Sequence, residues 1–542
     1  MAIETLLPAF AVVFVGYSAY SRLFSKRSTQ KRLPGPEPLP LIGNLLDLPQ
    51  KGTTEFTHWL THKDKYGPIS SVSIFGQTML VLHDREAASD LLEKRSKVTS
   101  GRPYFEFSHL AGYGGYITVN SYTDMFRKQR KFVHQQLGTK RAADQYSHAQ
   151  RYAVKGLLTH LLENPDNLVE HFKVLSGTII LQTAYGYSVD EVDEDPMIRL
   201  VERMMMNFAQ AFMPMAWIVD ALPFLKSFPE WLPGMSFQRI GREWTRINEM
   251  VANIPYTFTR QQMAAHSHRP SLVSKMVEDV GHGASDPTLD PDDEYAIKWS
   301  VAALYGGGAD TTVSSLTSFI LAMVMCPEIQ RRAQEELDNV VGSLTLPQPE
   351  DRDRLPYINA LVKETLRWFP VVPLGVVHET DAEIEYRGYT IPKGAMIIPS
   401  IWWFLHDPEI YDNPDTFDPT RFLPPRNQID PANYAFGFGR RICPGRFLAD
   451  GTIFLSIAQM LAVFNITKAV DEKGVPIEPV IKHISGLLDR PQDFPYTITP
   501  RSKAHQELIE KIAKENPRGH GDSHQLGDAP VEIDDILAHG LR

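Results

Sequence analysis

The chain has 542 residues, 43% hydrophobic and 22% charged, which is enough apolar material for a large buried core. Its 65 acidic against 55 basic residues give a net charge of −10, and this argues against nucleic acid as a partner, because such proteins usually carry a basic surplus. With only two cysteines, Cys326 and Cys443, a disulfide-stapled secreted scaffold is not indicated.

Residues 6–20 are apolar and uncharged, and the basic cluster Arg22, Lys26, Arg27, Lys31 and Arg32 comes directly after them. Positive charge after the apolar stretch is the pattern of a signal anchor and keeps the downstream chain in the cytosol. The stretch is short against the ~20 residues of a full crossing unless the first five residues extend it, so a partly buried N-terminal helix is the alternative. Residues 1–21 are assigned to the anchor and 22–44 to a basic, proline-rich linker. There Pro34, Pro36, Pro38 and Pro40 forbid helix and favour a stiff spacer between membrane and body. Strands are expected at 70–75 and 78–83 around a Gly76-Gln77 turn, and a second hairpin at 383–399 around Pro392 to Gly394. Between 84 and 369 the patterning is helical. The expected fold class is mainly α with small β-sheets, in one body spanning 45–501.

Residues 295–325 read as a long helix interrupted by Gly306, Gly307 and Gly308. Each mid-helix glycine costs about 1 kcal/mol relative to alanine and leaves the backbone uncovered. Asp310 and Thr311 come at once after them. A hydroxyl beside a distorted turn bonds a carbonyl or a ligand, and a neighbouring acid passes protons through water. The alternative is a glycine patch for helix packing. The apolar run after Thr312 is too short for a membrane span and lies beside Asp310, so it reads as a core helix. Glu364 and Arg367 share a helical face that ends near Pro370, and Arg421 lies downstream. Beyond Arg501, residues 503–516 pattern as a short amphipathic helix and the rest of 502–542 as a polar, disordered tail. Its His520 and His524 lack other ligands at metal-binding spacing.

The segment 436–445 carries the most chemistry. Phe436, Gly437, Phe438 and Gly439 lead through Arg440, Arg441 and Ile442 to Cys443, and a long apolar helix starts at about Arg446. The cysteine thus sits at a helix N-terminus, where the dipole and free N–H groups favour negative charge. With nearby arginines, this placement is expected to lower the thiol pKa. Cys326, at the end of an apolar helix, reads as a packing residue.

The pattern Phe436-x-x-Gly439-x-Arg441-x-Cys443-x-Gly445 is similar, position for position, to the haem loop of the cytochrome P450 superfamily, and the resemblance runs from about residue 33 to 501. It implies the haem-thiolate fold and haem b with Cys443 as axial iron ligand, a ligand that pushes electron density towards O–O cleavage. It also implies Phe436 and Gly437 against the haem, and Arg441, Arg130 and His378 at the propionates. Phe126 stands where the family usually has tryptophan, so an indole N–H is missing there. Asp310 and Thr311 match the acid–alcohol pair that organises proton delivery to bound O2. Glu364, Arg367 and Arg421 match a buried network that supports the haem loop.

The chain shows no flavin or nicotinamide fingerprint, so electrons must come from elsewhere. The resemblance implies NADPH-cytochrome P450 reductase as donor and an endoplasmic reticulum membrane location with the catalytic body cytosolic. Arg127, Lys128, Lys131, Arg440 and Arg446 either dock such an acidic partner or are scattered solvated cations. Segments 104–116, 204–217, 301–310, 371–377 and 486–488 are the expected walls for a lipophilic substrate. The leading expectation is monooxygenation with O2, of the fungal secondary-metabolism type. A haem-thiolate isomerase or peroxygenase, or a non-catalytic haem-binding protein, are the alternatives.

Overall fold

The computed structural model describes residues 32–50, 52–191, 194–213, 216–284, 287–484 and 486–539. The expected anchor and most of the basic cluster lie outside the described residues. The chain divides into two compact units: the described residues up to Pro103 with Val377–Pro399, and Tyr104–Val376 with the residues from Ser400 on.

The smaller unit contains helix α1 (Glu55–Tyr66) and a sheet of order β1-β2-β6-β3. Strands β1 (Ile69–Ile74) and β2 (Gln77–Leu82) pair antiparallel, with Ile69 opposite Leu82. They turn on Phe75-Gly76, one residue before the expected Gly76-Gln77. Both turn residues have positive φ, 48° and 85°, as the two-residue turn matching strand twist requires. Strand β6 (Met396–Pro399) runs parallel to β2 and antiparallel to β3 (His378–Glu379). The second hairpin differs from expectation. Strands β4 (Ile384–Tyr386) and β5 (Tyr389–Ile391) turn on Arg387-Gly388, and Pro392 to Gly394 instead carries the chain to β6 in the other sheet. Pro392 has no N–H with which to extend β5. Residues 34–44 are no free spacer: Ser71 N–H donates to the Pro34 carbonyl at 2.6 Å, and Asn44 Oδ1 accepts from Ser73 N–H at 2.9 Å. They cover the edge of β1.

The larger unit is helical. In chain order it contains α2 (Asp124–Leu137), α3 (Ser147–Glu163), α4 (Leu168–Tyr185), α5 (Pro196–Ala211), α6 (Phe237–Ala264), α7 (Leu272–Val280), α8 (Pro291–Met325), α9 (Pro327–Val340), α10 (Pro356–Trp368) and α11 (Arg446–Val463). Strands β7 (Phe464–Thr467) and β10 (Thr497–Pro500) pair, as do β8 (His483–Ile484) and β9 (Arg490–Pro491). Helix α8 starts four residues before the expected Tyr295. Asp290 caps it by accepting from Asp292 N–H, Pro291 fills the first turn, and three acids there favour the positive dipole end.

Two apolar clusters build this unit, and α8 belongs to both. Its Ile297–Tyr305 portion packs with α5, α6 and α7, and its Val313–Val324 portion with α4, α9, α10 and α11. The glycine–acid–alcohol stretch occupies the boundary between them. Helices α8 and α11 are long and apolar enough to cross a membrane, yet both are mostly buried, as expected for core helices.

Residues 502–539 differ from a disordered tail. Helix α12 (Lys503–Glu515) buries Ile509 and Ile512 against the body, and α13 (Ala529–His539) buries Ile533 and Ile536 against α5 and α6. The segment is polar by composition, but its few isoleucines recur on one side of each helix, and a prebuilt apolar surface is enough to order it.

Candidate active site

Cys443 lies between a short turn at Gly439–Arg441 and the first residue of α11. Its N–H donates to the Phe436 carbonyl at 2.7 Å, which closes the loop, and Gly437 takes φ +76°, a region that side chains avoid. Phe438 is buried and anchors the loop. The Gly445 N–H donates to the Cys443 sulfur. Burial pushes the thiol pKa up, while that N–H, Arg130 and Arg446 pull it down. The expectation of a net lowering is thus corrected: desolvation is the largest effect, and the helix terminus only moderates it. Ionisation of such a thiol is left to a bound cation, which deprotonates a coordinating thiol outright.

Arg130, on α2, points its charge towards Cys443. Burial holds its pKa below the ordinary guanidinium value, and it makes no hydrogen bond or ion pair with any described residue. A half-buried cation without an anionic partner is costly. Arg441 is engaged: its guanidinium donates to the Asn120 carbonyl at 2.6 Å and the Ile117 carbonyl at 3.2 Å, and lies 3.8 Å from the centre of the Phe126 ring. Phenylalanine at 126 therefore supplies a face for Arg441 where an indole would supply a donor. His378 belongs to the smaller unit, where it is buried on β3 with Nδ1 2.8 Å from the Thr99 carbonyl oxygen. Of the cationic segments, Lys128 pairs with Asp293 at 2.7 Å, Arg127 pairs with Asp124, and Arg440 bonds the Tyr122 hydroxyl. These partners account for part of the expected docking charge.

Helix α8 continues unbroken through its three glycines. They have different jobs. A Cβ on Gly306 would stand 2.6 Å from the Met204 methyl of α5, and one on Gly308 would stand 3.0 Å from Ile180 of α4, so these two permit close helix approach. A Cβ on Gly307 would meet nothing within 4 Å; this residue faces open space. The packing reading and the open-backbone reading both hold, one residue apart. Thr311 Oγ donates to the Gly307 carbonyl at 2.8 Å. Burial raises the Asp310 pKa, opposed by the charges of Arg490 and Lys173. Lys173 in turn pairs with Glu170 at 2.8 Å and Glu202 at 3.2 Å.

The walls expected from sequence meet in part. Segments 104–116 and 204–217 come together: the Tyr113 hydroxyl donates to the Met204 carbonyl at 3.0 Å, and Phe107 stacks on Trp217 at 3.5 Å. The Asp489 N–H reaches the Val371 carbonyl at 2.8 Å, joining the β8–β9 turn to residue 371.

Beneath the loop, Glu364, Arg367 and Arg421 are fully buried and fully paired. Glu364 accepts from Arg367 at 2.8 Å through both oxygens, from Arg421 Nε at 3.1 Å, and from the Asp418 N–H at 2.8 Å. The other guanidinium N–H groups reach the carbonyls of Leu405, Asp412 and Thr416 and the side chain of Gln428. Sequence reasoning missed Arg490 and Lys173 as neighbours of Asp310. No local motif marks them, since both arrive from distant elements.

The donor set fits a haem. Among the described residues no three His, Cys, Asp or Glu side chains are placed to hold a metal ion, so an iron here needs a macrocycle for its other ligands. Arg130 lacks the anion that a propionate would provide. Comparison with known proteins agrees. The cytochrome P450 family model matches residues 33–491. The cytochrome P450 monooxygenase CLM2 of Gibberella zeae is 46% identical over 95% of this chain and 98% of its own length. The multifunctional cytochrome P450 monooxygenase af510 of Aspergillus fumigatus is 41% identical over 95% and 97%. The O-methylsterigmatocystin oxidoreductase of Aspergillus flavus is 36% identical over 95% and 97%. On this footing the chain belongs to the cytochrome P450 family and is a haem-thiolate monooxygenase, similar over nearly its whole length to these three fungal proteins.

Proposed function

We propose that Cys443 is the axial thiolate, that Arg130, with Arg441, receives the haem propionates, that Phe436 and Gly437 lie against the macrocycle, and that Asp310 and Thr311 serve proton delivery. The observation that carries this reading is the half-buried Arg130, coupled electrostatically to Cys443 and without an ion-pair partner among the described residues. When bound, haem supplies two-electron activation of O2, placing one oxygen atom in the substrate and releasing the other as water. The protein's part is positional. The Gly445 N–H and the two arginines hold negative charge at the sulfur. Gly307 keeps the space over the α8 backbone open, and Thr311 lends its hydroxyl to that carbonyl until a ligand competes for it. Asp310, less acidic than an ordinary aspartate, is suited to take up and return protons.

The aromatic and methionine side chains of 104–116 and 204–217 suit a lipophilic, partly aromatic small molecule. The name of the Aspergillus flavus relative, an O-methylsterigmatocystin oxidoreductase, supports an oxidation of the fungal secondary-metabolism type. Electrons come from NADPH-cytochrome P450 reductase, and the protein sits at the endoplasmic reticulum membrane through residues 1–21. Large apolar residues exposed between α5 and α6, among them Ile218, Phe224, Phe228 and Trp231 at 80% exposure, support membrane contact by the larger unit.

The test is spectroscopic and kinetic. The reduced, carbon-monoxide-treated full chain is expected to show a thiolate-type Soret band that Cys443→Ala abolishes. Product is expected only with NADPH and reductase. Turnover with peroxide alone or with no reductant would favour the peroxygenase or isomerase alternative.

A further inference from the structure

The chain beyond residue 516 makes a set of contacts that a trailing segment has no need of. Asp522 is 4% exposed, and its N–H donates to the Ser188 carbonyl at 2.9 Å while its carboxylate accepts from the Ser188 N–H at 2.8 Å. Arg269 closes over the same carboxylate. A Cβ on Gly521 would stand 2.4 Å from the Ser188 carbonyl oxygen, so only glycine lets the strand of chain lie this close. Gln525 accepts from Gln262 near the end of α6 at 2.8 Å. Helix α13 then crosses α5 and α6, with Ile533 and Ile536 in the apolar cluster, Asp534 paired to Arg199 of α5 at 2.8 Å, and Glu532 4.0 Å from Arg246 of α6.

The two helices so held form a wall of the site. Helix α5 presents Met204 to Gly306 of α8, directly beside the open space at Gly307. Segment 105–113 also ties the pair, through the Tyr113 hydroxyl on the Met204 carbonyl and through Thr245 and Asn248 of α6, which donate to the Leu110 and Ala111 carbonyls. The link between α5 and α6 is looser, for no described element in it exceeds five residues and several large apolar side chains there are exposed. Segments with few buried contacts open at low free-energy cost. Helix α6 also contains Pro255, which lacks the N–H that would bond one turn back. The C-terminal segment grips α6 on both sides of that break, at Arg246 and at Gln262.

We propose that residues 517–539 are a strap that clamps α5 and α6 against α8 and sets how fast a lipophilic ligand reaches and leaves the open space at Gly307. The strap touches the outer side of helices whose inner side meets α8, so it acts on exchange of ligand without touching the ligand. Loosening it frees α5 to lift from Gly306; the thiolate loop and α11 are not in its path.

The experiment uses the full, haem-loaded chain and 1-phenylimidazole, an aromatic azole whose arrival at haem iron shifts the Soret band. Ile533→Ser with Ile536→Ser is expected to raise both association and dissociation rates about tenfold, a change in line with loss of buried apolar packing. Amide hydrogen exchange is expected to quicken in 196–211 and not in 446–463. Asp534→Lys, which opposes Arg199, is expected to raise the rates about two- to fivefold, as suits a part-exposed ion pair. Adding Arg199→Glu is expected to bring them back towards wild type. Unchanged rates in a folded double-serine enzyme would overturn the strap. So would faster exchange spread equally into 446–463, which would mark a general brace. If the double-serine variant does not fold, the charge series decides, and no recovery in the paired variant overturns the proposal. The exchange measurement needs no turnover, so it stands apart from the roles given to Asp310 and Thr311.

Discussion

At Arg130 a charge has been partly removed from water and given no ion-pair partner among the described residues. Its energetic return must come from a ligand, because an orphan buried cation only destabilises the protein that carries it. Arg130→Leu is therefore expected to leave the melting temperature of the haem-free protein unchanged or raised, and to weaken haem binding by about tenfold or more, the worth of one charge-assisted bond. Haem titration of the apoprotein alongside calorimetry checks both halves. Asp310 offers a second test. Replacing it with asparagine keeps shape and removes the titrating proton, so turnover is expected to fall about 10²-fold with substrate affinity unchanged. Burial raises its pKa and Arg490 opposes that rise. Arg490→Leu removes a stabiliser of the anion, so the limb of the pH–rate profile that reports Asp310 is expected to move to higher pH. A shift to lower pH would show that Arg490 acts otherwise. The acid itself was legible from its place after three glycines. Its neighbours were not, because Arg490 and Lys173 lie 180 and 137 positions away in sequence and only packing joins them.

Among elements, the buried triad shows how one helix turn is made useful by a distant loop. Glu364 and Arg367 alone are an i, i+3 pair of small value on an exposed helix. Arg421, delivered by the turn Pro419–Phe422, completes a network that is fully buried. Arg421→Ala leaves Glu364 with one unmatched side and is expected to cost about 3–5 kcal/mol, with loss of haem on heating or in denaturant. Denaturant melts of the apo and haem-loaded forms measure it, and a cost under about 1 kcal/mol would mean that water replaces the arginine. The order Glu, Arg, Arg was readable from sequence through the family resemblance. The hairpins were only half readable: both turns slipped to dipeptides with two positive φ values, Phe75-Gly76 and Arg387-Gly388. Strand pairing set that register, and no local preference of Gln77 or Pro392 competes with it.

For the whole molecule, stability against acid depends on groups buried in their neutral form. His406 is 4% exposed, stacks on Trp402 at 4.0 Å and lies beside Arg367. Burial first, and the arginine second, push its pKa down to about 3. The folded-state value is thus below the unfolded one, so between about pH 6.5 and 3 the unfolded chain binds the proton and stability is lost as pH falls. His406→Phe is expected to flatten that part of the stability–pH curve, read by urea melts across the window. The cysteine loop, the run of glycines before Asp310 and Thr311, the Glu364–Arg367 pair and the helical class were all written in the order of the amino acids, because each rests on residue types at short spacing, whereas Arg421 joined its pair only through the family resemblance. Three features waited on the packed chain: that Gly307 opens while Gly306 and Gly308 pack, that burial outweighs the helix terminus at Cys443, and that the polar C-terminal segment is ordered. Each of those depends on which distant surface arrives next to the residue, and such proximity is a property of the folded chain rather than of any stretch along it.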